Sequence, residues 1–553
     1  MPKMNWRCRT ALACAAAIAL SATAQTPAPP AKQETPVIRK TTRLVQLSVI
    51  VTNKDGQPVT DLGRDDFELF DNGKPQAVSV FSMESVRTIA TPSAPLPPNT
   101  YTNRLERRGE VPTSVTVILL DTINTSFHDR PYAKQQILKF LGQIRPEDRI
   151  ALYVLSNRGV SVLHDFTSDA TPLLRALARY QSREEHQVAG SEPDDYATGF
   201  DDFDSLFANQ VERMSNFYLQ DRVSRTVDGL EAIAHHLGGL PGRKNLVWVS
   251  ATFPISFGLD ALPSQSNLSP ERGIFTGAVE RAARALNEAN LAVYPVDARG
   301  LIGAFGTSAQ FATMMGGRGG KAITPRSPFL NHDTMVVLAD RTGGRAFYNT
   351  NDISGAVRRA VEDSRVTYEL GFYPTHGQWN GRWHELKVQV KRRGVQVRYR
   401  RGYFAYPDRE LDDKARRALL LEAALSPLDA TALAVTVQAQ PGTEANQWRF
   451  VLRFDPQELQ LTEENGTWTD QLDVLIVQRS ARGQIVDHFE TTIVLKLPST
   501  AYEQLKREGF ALSKHIVVNP AAEELRVIVR DANSGAIGSV NIRTRSLAAG
   551  GTR

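Results

Sequence analysis

Ser114-Val-Thr-Val-Ile-Leu-Leu120 is an apolar run that stops abruptly on Asp121. A strand covered on both faces reads this way, because neither side of its pleat meets water. Arg149–Leu155, Asn245–Ser250 and Leu291–Asp297 are further strand-like runs. Between them, apolar positions recur at helical spacing over Pro131–Ile144, Thr171–Tyr180, Val223–Leu237, Glu271–Asn290 and Ile353–Ser364. Strands alternating with helices predict one α/β domain over residues 113–365. Two long insertions interrupt it, Gln181–Gln210 and the Gly/Ser-rich Ala298–Arg326. Loops of that length in a compact domain are functional or disordered.

Elsewhere the period is two. Leu44–Thr52 alternates and ends in the turn Asn53-Lys-Asp-Gly56; Phe67–Phe70, Asp71-Asn-Gly73 and Ala77–Phe81 continue the strand-turn-strand pattern. Residues 41–90 are therefore expected to form a small immunoglobulin-like β unit, followed by a linker over 91–112 that is Pro-rich at Thr91–Pro98. Strand patterns return over 366–406, at Val366–Phe372, Trp383–Val390 and Val395–Tyr399. Neither piece is large enough to hold a good core alone, so the two are expected to pair, with the α/β domain inserted between them. Residues 412–548 predict a second β-sandwich-like domain after the helix Asp412–Leu425. Its strands fall near Thr431–Ala439, Gln447–Phe454, Gln471–Gln478, Ile485–Leu495, Glu524–Asp531 and Gly538–Thr544, with a helix at Ser499–Glu508.

The first 24 residues read as a secretory signal. Lys3, Arg7 and Arg9 precede the short apolar centre Thr10–Leu20, and Ala22-Thr-Ala24 offers a small-residue cleavage site before Gln25. Residues 25–40, rich in Pro and Ala, predict a disordered lead. No later stretch approaches the roughly 20 apolar residues of a membrane span, so the expected product is exported, periplasmic or extracellular. Cys8 and Cys14 both fall inside the signal, and a lipoprotein cut at Cys14 would truncate the apolar centre. Cleavage at Ala24 leaves no thiol for a disulfide, a metal or a nucleophile. The net charge of +5 includes three signal cations and falls to +2 without them, which gives no mandate for nucleic acid. Lys391-Arg-Arg393 and Arg398–Arg401 alternate with apolar residues as the solvated face of a strand does.

Asp121-Thr-Ile-Asn-Thr125 places a carboxylate and hydroxyls at a strand-to-helix turn, where open α/β sheets build a ligand crevice. With the flanking strand order, this resembles the von Willebrand factor A domain and, more narrowly, the VWFA-related proteins abundant in Acidobacteria. The resemblance covers roughly Thr35–Tyr406 and implies a doubly wound, mostly parallel sheet, here combined with Ig-like β-sandwich modules. Thr342–Tyr348 is similar to the family's last turn and edge strand, with Asn351 or Asp352 capping the closing helix. The family binds partners through a metal held by Asp-x-Ser-x-Ser, a later Thr and a second Asp. Carried over, Asp121, Thr125 and Thr226 are the candidate ligands for Mg²⁺ or another divalent cation. Ile123 replaces the middle serine, and Ala251 stands where the second aspartate belongs. Hard cations want oxygen ligands, and one carboxylate with hydroxyls holds them weakly. Asn124, Ser250 and Asp297 are the candidate partner-binding rim. The opposing expectation is that Asp121 caps its own turn and bonds Asn124 or Thr226.

Other constellations point less far. The acids Glu192, Asp194, Asp195, Asp201, Asp202 and Asp204 lack the order of an EF-hand loop. Gly316-Gly-Arg-Gly-Gly-Lys321 lacks the first glycine and the hydroxyl of a phosphate loop. His235 and His236, adjacent near a helix end, point to different sides. His384-Glu385 lies on a strand with no partner histidine at helical spacing, and neither Ser156 nor Ser250 has the glycines of a nucleophile elbow. The expected function is non-enzymatic protein binding or adhesion at the cell envelope, through the crevice of a degenerate metal site. The alternatives are a metal-free envelope scaffold, or an extracytoplasmic hydrolase using acids such as Asp121 and Asp297.

Overall fold

A computed structural model of the chain describes residues 44–85, 96–104, 114–127, 129–180, 220–240, 242–253, 282–300, 328–376, 379–405, 412–426, 428–444, 446–454 and 458–548. The signal, the lead, the acidic cluster, the glycine-rich loop and most of both long insertions lie outside the described residues.

Ser114–Asp121 is the middle of a five-stranded sheet, and all but its first residue are buried. It pairs in parallel with Ile150–Ser156 on one side and Arg243–Ser250 on the other. Leu291–Asp297 extends the second side, also in parallel. Gly159–Thr167 folds back antiparallel on Ile150–Ser156, a strand that the sequence pattern did not announce. Phe347 adds a parallel bridge to Val296 at the other edge, so Thr342–Tyr348 contributes one rung rather than a full strand.

Two apolar layers cover the sheet. On one face, the helix at 220–237 and residues of the helical segment 282–288 pack Val227, Leu230, Ile233 and Leu286 against Val117, Leu119 and Trp248. On the other, the helices Arg130–Leu141, Ala170–Arg179 and Ile353–Glu362 bring Ile137, Leu173 and Val357 against Ile118, Leu120 and Val154. Asp169 and Asp352 cap two of these helices, accepting from Thr171 N and Gly355 N at 2.8 Å each. Such caps satisfy amide groups that the first helical turn leaves without partners.

One β unit is built from chain segments on both sides of this α/β body. Val45–Thr52 pairs antiparallel with Val366–Phe372, which also carries Val80–Ser85. Trp383–Val390 pairs with Phe67–Asp71 and Gly402–Phe404. Leu47, Val49, Leu69, Tyr368, Leu370 and Leu386 share a single core, so the two sheets and both chain segments are closed over each other. The turn Asn72-Gly73 between Phe67–Asp71 and Lys74–Gln76 has φ of 47° and 78°, the left-handed pair that tight hairpins require.

The second β unit has the sheet order Phe510–Val517, Gln447–Phe454, Val435–Pro441, Thr100–Thr102. Thr467–Arg479 carries Ile485–Pro498 and Glu524–Asp531 in the other sheet. The membership of Thr100–Thr102 corrects the expected linker over 91–112. Asn103 clips that strand in place: its Nδ2 donates to Ala430 O and Leu433 O at 2.7 and 2.8 Å, and its Oδ1 accepts from Val435 N. This unit also seals the end of the 220–237 helix. Thr431 Oγ1 donates to His236 O and accepts from Gly239 N, and His236 Nδ1 lies 2.6 Å from Asp429 O. No helix among the described residues is long and apolar enough to cross a membrane.

Candidate functional site

The strand order reverses across the pair Ser114–Asp121 and Arg243–Ser250, and ligands of open α/β sheets bind outside such a reversal. Asp121 stands there because it is the last residue of the central strand. The structure gathers Asp121, Asn124, Thr226 and Ser250 into one hydrogen-bonded cluster, with Thr125 held beside it by Ala251 N.

Asp121 is fully buried. Its Oδ1 accepts from the backbone N–H groups of Ile123 and Asn124 at 3.0 and 2.9 Å, closing the turn that follows the strand. Its Oδ2 is 2.8 Å from Asn124 Nδ2, 2.9 Å from Trp248 Nε1 and 3.1 Å from Ser250 Oγ. Four N–H donors therefore aim at the carboxyl, and the serine makes a fifth contact. Ser250 Oγ is also 2.8 Å from Thr252 O, which can only accept. One hydroxyl proton cannot serve both acceptors at once. Burial pushes the Asp121 carboxyl above its ordinary range, against the pull of the Asn124, Trp248 and Ser250 contacts.

The neighbours are equally committed. Thr226 Oγ1 donates to Arg222 O at 2.7 Å and accepts from Asn124 Nδ2 at 2.9 Å. Thr226 sits inside the helix described over residues 220–237. Thr125 Oγ1 accepts from Ala251 N at 3.2 Å. Arg222 spans the cluster, with Nε 3.3 Å from Asn124 Oδ1 and Nη2 3.2 Å from Thr252 Oγ1.

The expected partner-facing rim is corrected by burial: Asn124, Ser250 and Asp297 are 3%, 0% and 1% exposed. Asp297 also stands apart from the cluster. Arg299 grips it through Nε and Nη2 at 3.0 and 2.7 Å, and His332 Nε2 lies at 3.4 Å. Burying a carboxylate is costly without such pairing, which accounts for the position of Arg299. A carboxylate held in this way is engaged as an ion-pair partner.

Mg²⁺ binds through oxygen lone pairs in a near-octahedral shell. The Asp121 oxygens already receive hydrogens from four N–H groups, and two of those are backbone amides that cannot turn away. Ile123 and Ala251 supply no oxygen in their side chains. This donor set does not fit a hard divalent cation. Trp248 and Arg222 were missed in the sequence, where a tryptophan inside an apolar run and an arginine on a helix give no sign of reaching Asp121 and Asn124, 127 and 98 residues away.

No family model matches the chain, and no curated protein matches it. Solved structures similar to it at low identity include the following three. The Rpn10 VWA domain is 12% identical, over 45% of this chain and 95% of that one, at a TM-score of 0.20. The ArnB paralog VWA2 of Sulfolobus acidocaldarius is 10% identical, over 84% and 74%, at 0.21. The pilus adhesin SpaC of Lactobacillus rhamnosus GG is 8% identical, over 81% and 57%, at 0.26. Scores of this size carry no argument about function. The solved structures similar to this chain thus include VWA domains, and the mixed α/β architecture described above rests on its own strand order.

Proposed function

We propose that the chain is an exported, non-enzymatic protein-binding scaffold whose von Willebrand A-like body works without a metal. On this reading the immunoglobulin-like β units and the loops, not the Asp121 crevice, carry the partner contacts at the cell envelope. The narrower likeness to Acidobacteria-type VWFA-related proteins belongs to the same reading and rests on sequence alone. The observation that carries the proposal is the engagement of Asp121: a carboxyl met by four N–H donors and a serine is a fastening of the fold, because each donor would be left unpaired if the acid turned to a ligand. The hydrolase alternative gains nothing from the geometry, since Asp121 and Asp297 are both buried and engaged.

Calorimetry with Mg²⁺ tests the metal-free part, with Asp121→Asn as control. The expected result is no binding heat at millimolar metal in either protein. Capture of envelope proteins on the immobilised chain should then be equal in Mg²⁺ and in chelator. Heat that vanishes in Asp121→Asn, together with capture lost in chelator, would restore the metal-dependent crevice.

A further inference from the structure

Asp71, likewise buried, has different company. Asp71 ends the strand Phe67–Asp71, and the neighbouring strand Trp383–Val390 brings His384 beside it. Tyr403 sits opposite His384 on the next strand, and His376 reaches in from the connection that precedes Trp383. His384 Nδ1 is 2.9 Å from Asp71 Oδ1, and His376 Nε2 is 3.6 Å from Asp71 Oδ2. Tyr403 Oη lies 2.9 Å from Asp71 Oδ2 and 2.7 Å from His376 Nε2. One ligand atom from each of Asp71, His376 and His384 falls within 4.8 Å of the others.

We propose that Asp71, His376 and His384 bind one divalent transition-metal ion of the zinc class, with Tyr403 beside the open coordination position.

Three features support this. First, two imidazoles and a carboxylate are the donors that such ions take, whereas Mg²⁺ and Ca²⁺ call for oxygen alone. Second, the spacing fits. One ligand atom from each residue lies within 4.8 Å of the others, and the two histidines approach the two oxygens of a single carboxyl, His384 Nδ1 on Oδ1 at 2.9 Å and His376 Nε2 on Oδ2 at 3.6 Å. The imidazole rings lie 4.0 Å apart, close enough to converge on one ion. Third, no single proton position satisfies His384 Nδ1. Asn72 Oδ1 accepts from Glu385 N at 2.9 Å, which fixes the amide and turns its Nδ2 to within 3.2 Å of that ring nitrogen. A protonated Nδ1 suits Asp71 but meets the Asn72 donor head on; a bare one suits Asn72 but faces a carboxylate lone pair. A shared cation removes the clash between the His384 and Asp71 lone pairs, the Asn72 amide then being the group that must turn. Access exists as well, since the side chains of His376 and His384 are 15% and 11% exposed while that of Asp71 is 2%. Tyr403 Oη lies beside two of the ligands, 2.9 Å from Asp71 Oδ2 and 2.7 Å from His376 Nε2.

The test uses the full chain, stripped with chelator, dialysed and titrated with Co²⁺. The expected result is about one Co²⁺ per chain, with the strong visible bands of a four-coordinate ion, displaced by Zn²⁺ and untouched by Mg²⁺. His376→Ala and His384→Ala should each weaken uptake at least about tenfold, while circular dichroism in chelator matches the parent. Should His384→Ala lose its fold, His376→Ala alone decides, because that residue lies in a connection rather than a strand. Substoichiometric uptake by the parent, or equal uptake by parent and variant, overturns the site. Because Asp121 lies elsewhere, the outcome is independent of the Mg²⁺ calorimetry above.

Discussion

Asp121 and Asp71 are both buried acids at the end of a strand, yet they are built for opposite ends. Around Asp121 stand an indole, an amide and two backbone N–H groups, all of which bring a hydrogen. Around Asp71 stand two imidazoles and a phenol, each of which can present a lone pair. Donors that can only donate lock a carboxyl into the fold. Groups that can switch between donating and accepting leave it available to something else.

The largest expected effect separates the two directly. Asp121→Ala should destabilise by roughly 3–5 kcal/mol, because several N–H groups lose their acceptor at about 1–3 kcal/mol each. Asp71→Ala, measured in chelator, should lose only about 1–2 kcal/mol, since Tyr403 can turn to His376 and His384 to Asn72. Urea unfolding of both variants gives the answer, and equal losses would break the comparison. Next in size, Zn²⁺ at a hundredfold excess over its dissociation constant should stabilise the parent by about 2.7 kcal/mol, with no gain in His376→Ala and none from Mg²⁺ in either. Thermal melts with and without each metal decide this. Smaller again, Trp248→Phe should lose about 1–2 kcal/mol, because it removes one donor from Asp121 and leaves the others in place. A loss as large as that of Asp121→Ala would mean that the indole packing against Phe253, not the hydrogen bond, is what matters there.

A third carboxyl sharpens the contrast by pH. Burial and the neighbouring Asp531 push Asp470 up to about 7. Between its ordinary value near 4 and 7, the folded chain therefore keeps a proton that the unfolded chain releases. Stability contributed by this group must then fall as pH rises through that window. Asp470→Asn should flatten the slope, by at most about 1 kcal/mol per pH unit, in urea midpoints taken from pH 4 to 8.

Much of the α/β body was legible because its strands are buried on both faces and read as unbroken apolar runs. Gly159–Thr167 was not, since it lies at the sheet edge and mixes His164 and Asp165 with Val160 and Leu163. Thr100–Thr102 is too short to show any period. The crevice residues were nameable from the motif, and the structure brings four of them into one cluster with Thr125 beside it. What the sequence lacked was direction: burial and donor count at Asp121 come from Trp248 and Ser250, across the sheet. The Asp71 cluster was beyond reach for a plainer reason. His384 was recognisable as a strand histidine, but its carboxylate partner is 313 residues earlier.

The β unit that brackets the α/β body has a consequence for synthesis. Ser48 meets Glu369 across 321 residues of chain, so the first apolar strand leaves the ribosome long before its mate exists. At about 5–20 residues per second, Val45–Thr52 waits on the order of 16 to 64 seconds with its hydrogen-bonding edges and its Leu47 and Val49 side chains uncovered. During that interval the nascent chain is most exposed to aggregation, and a chaperone that shields extended apolar segments would act there.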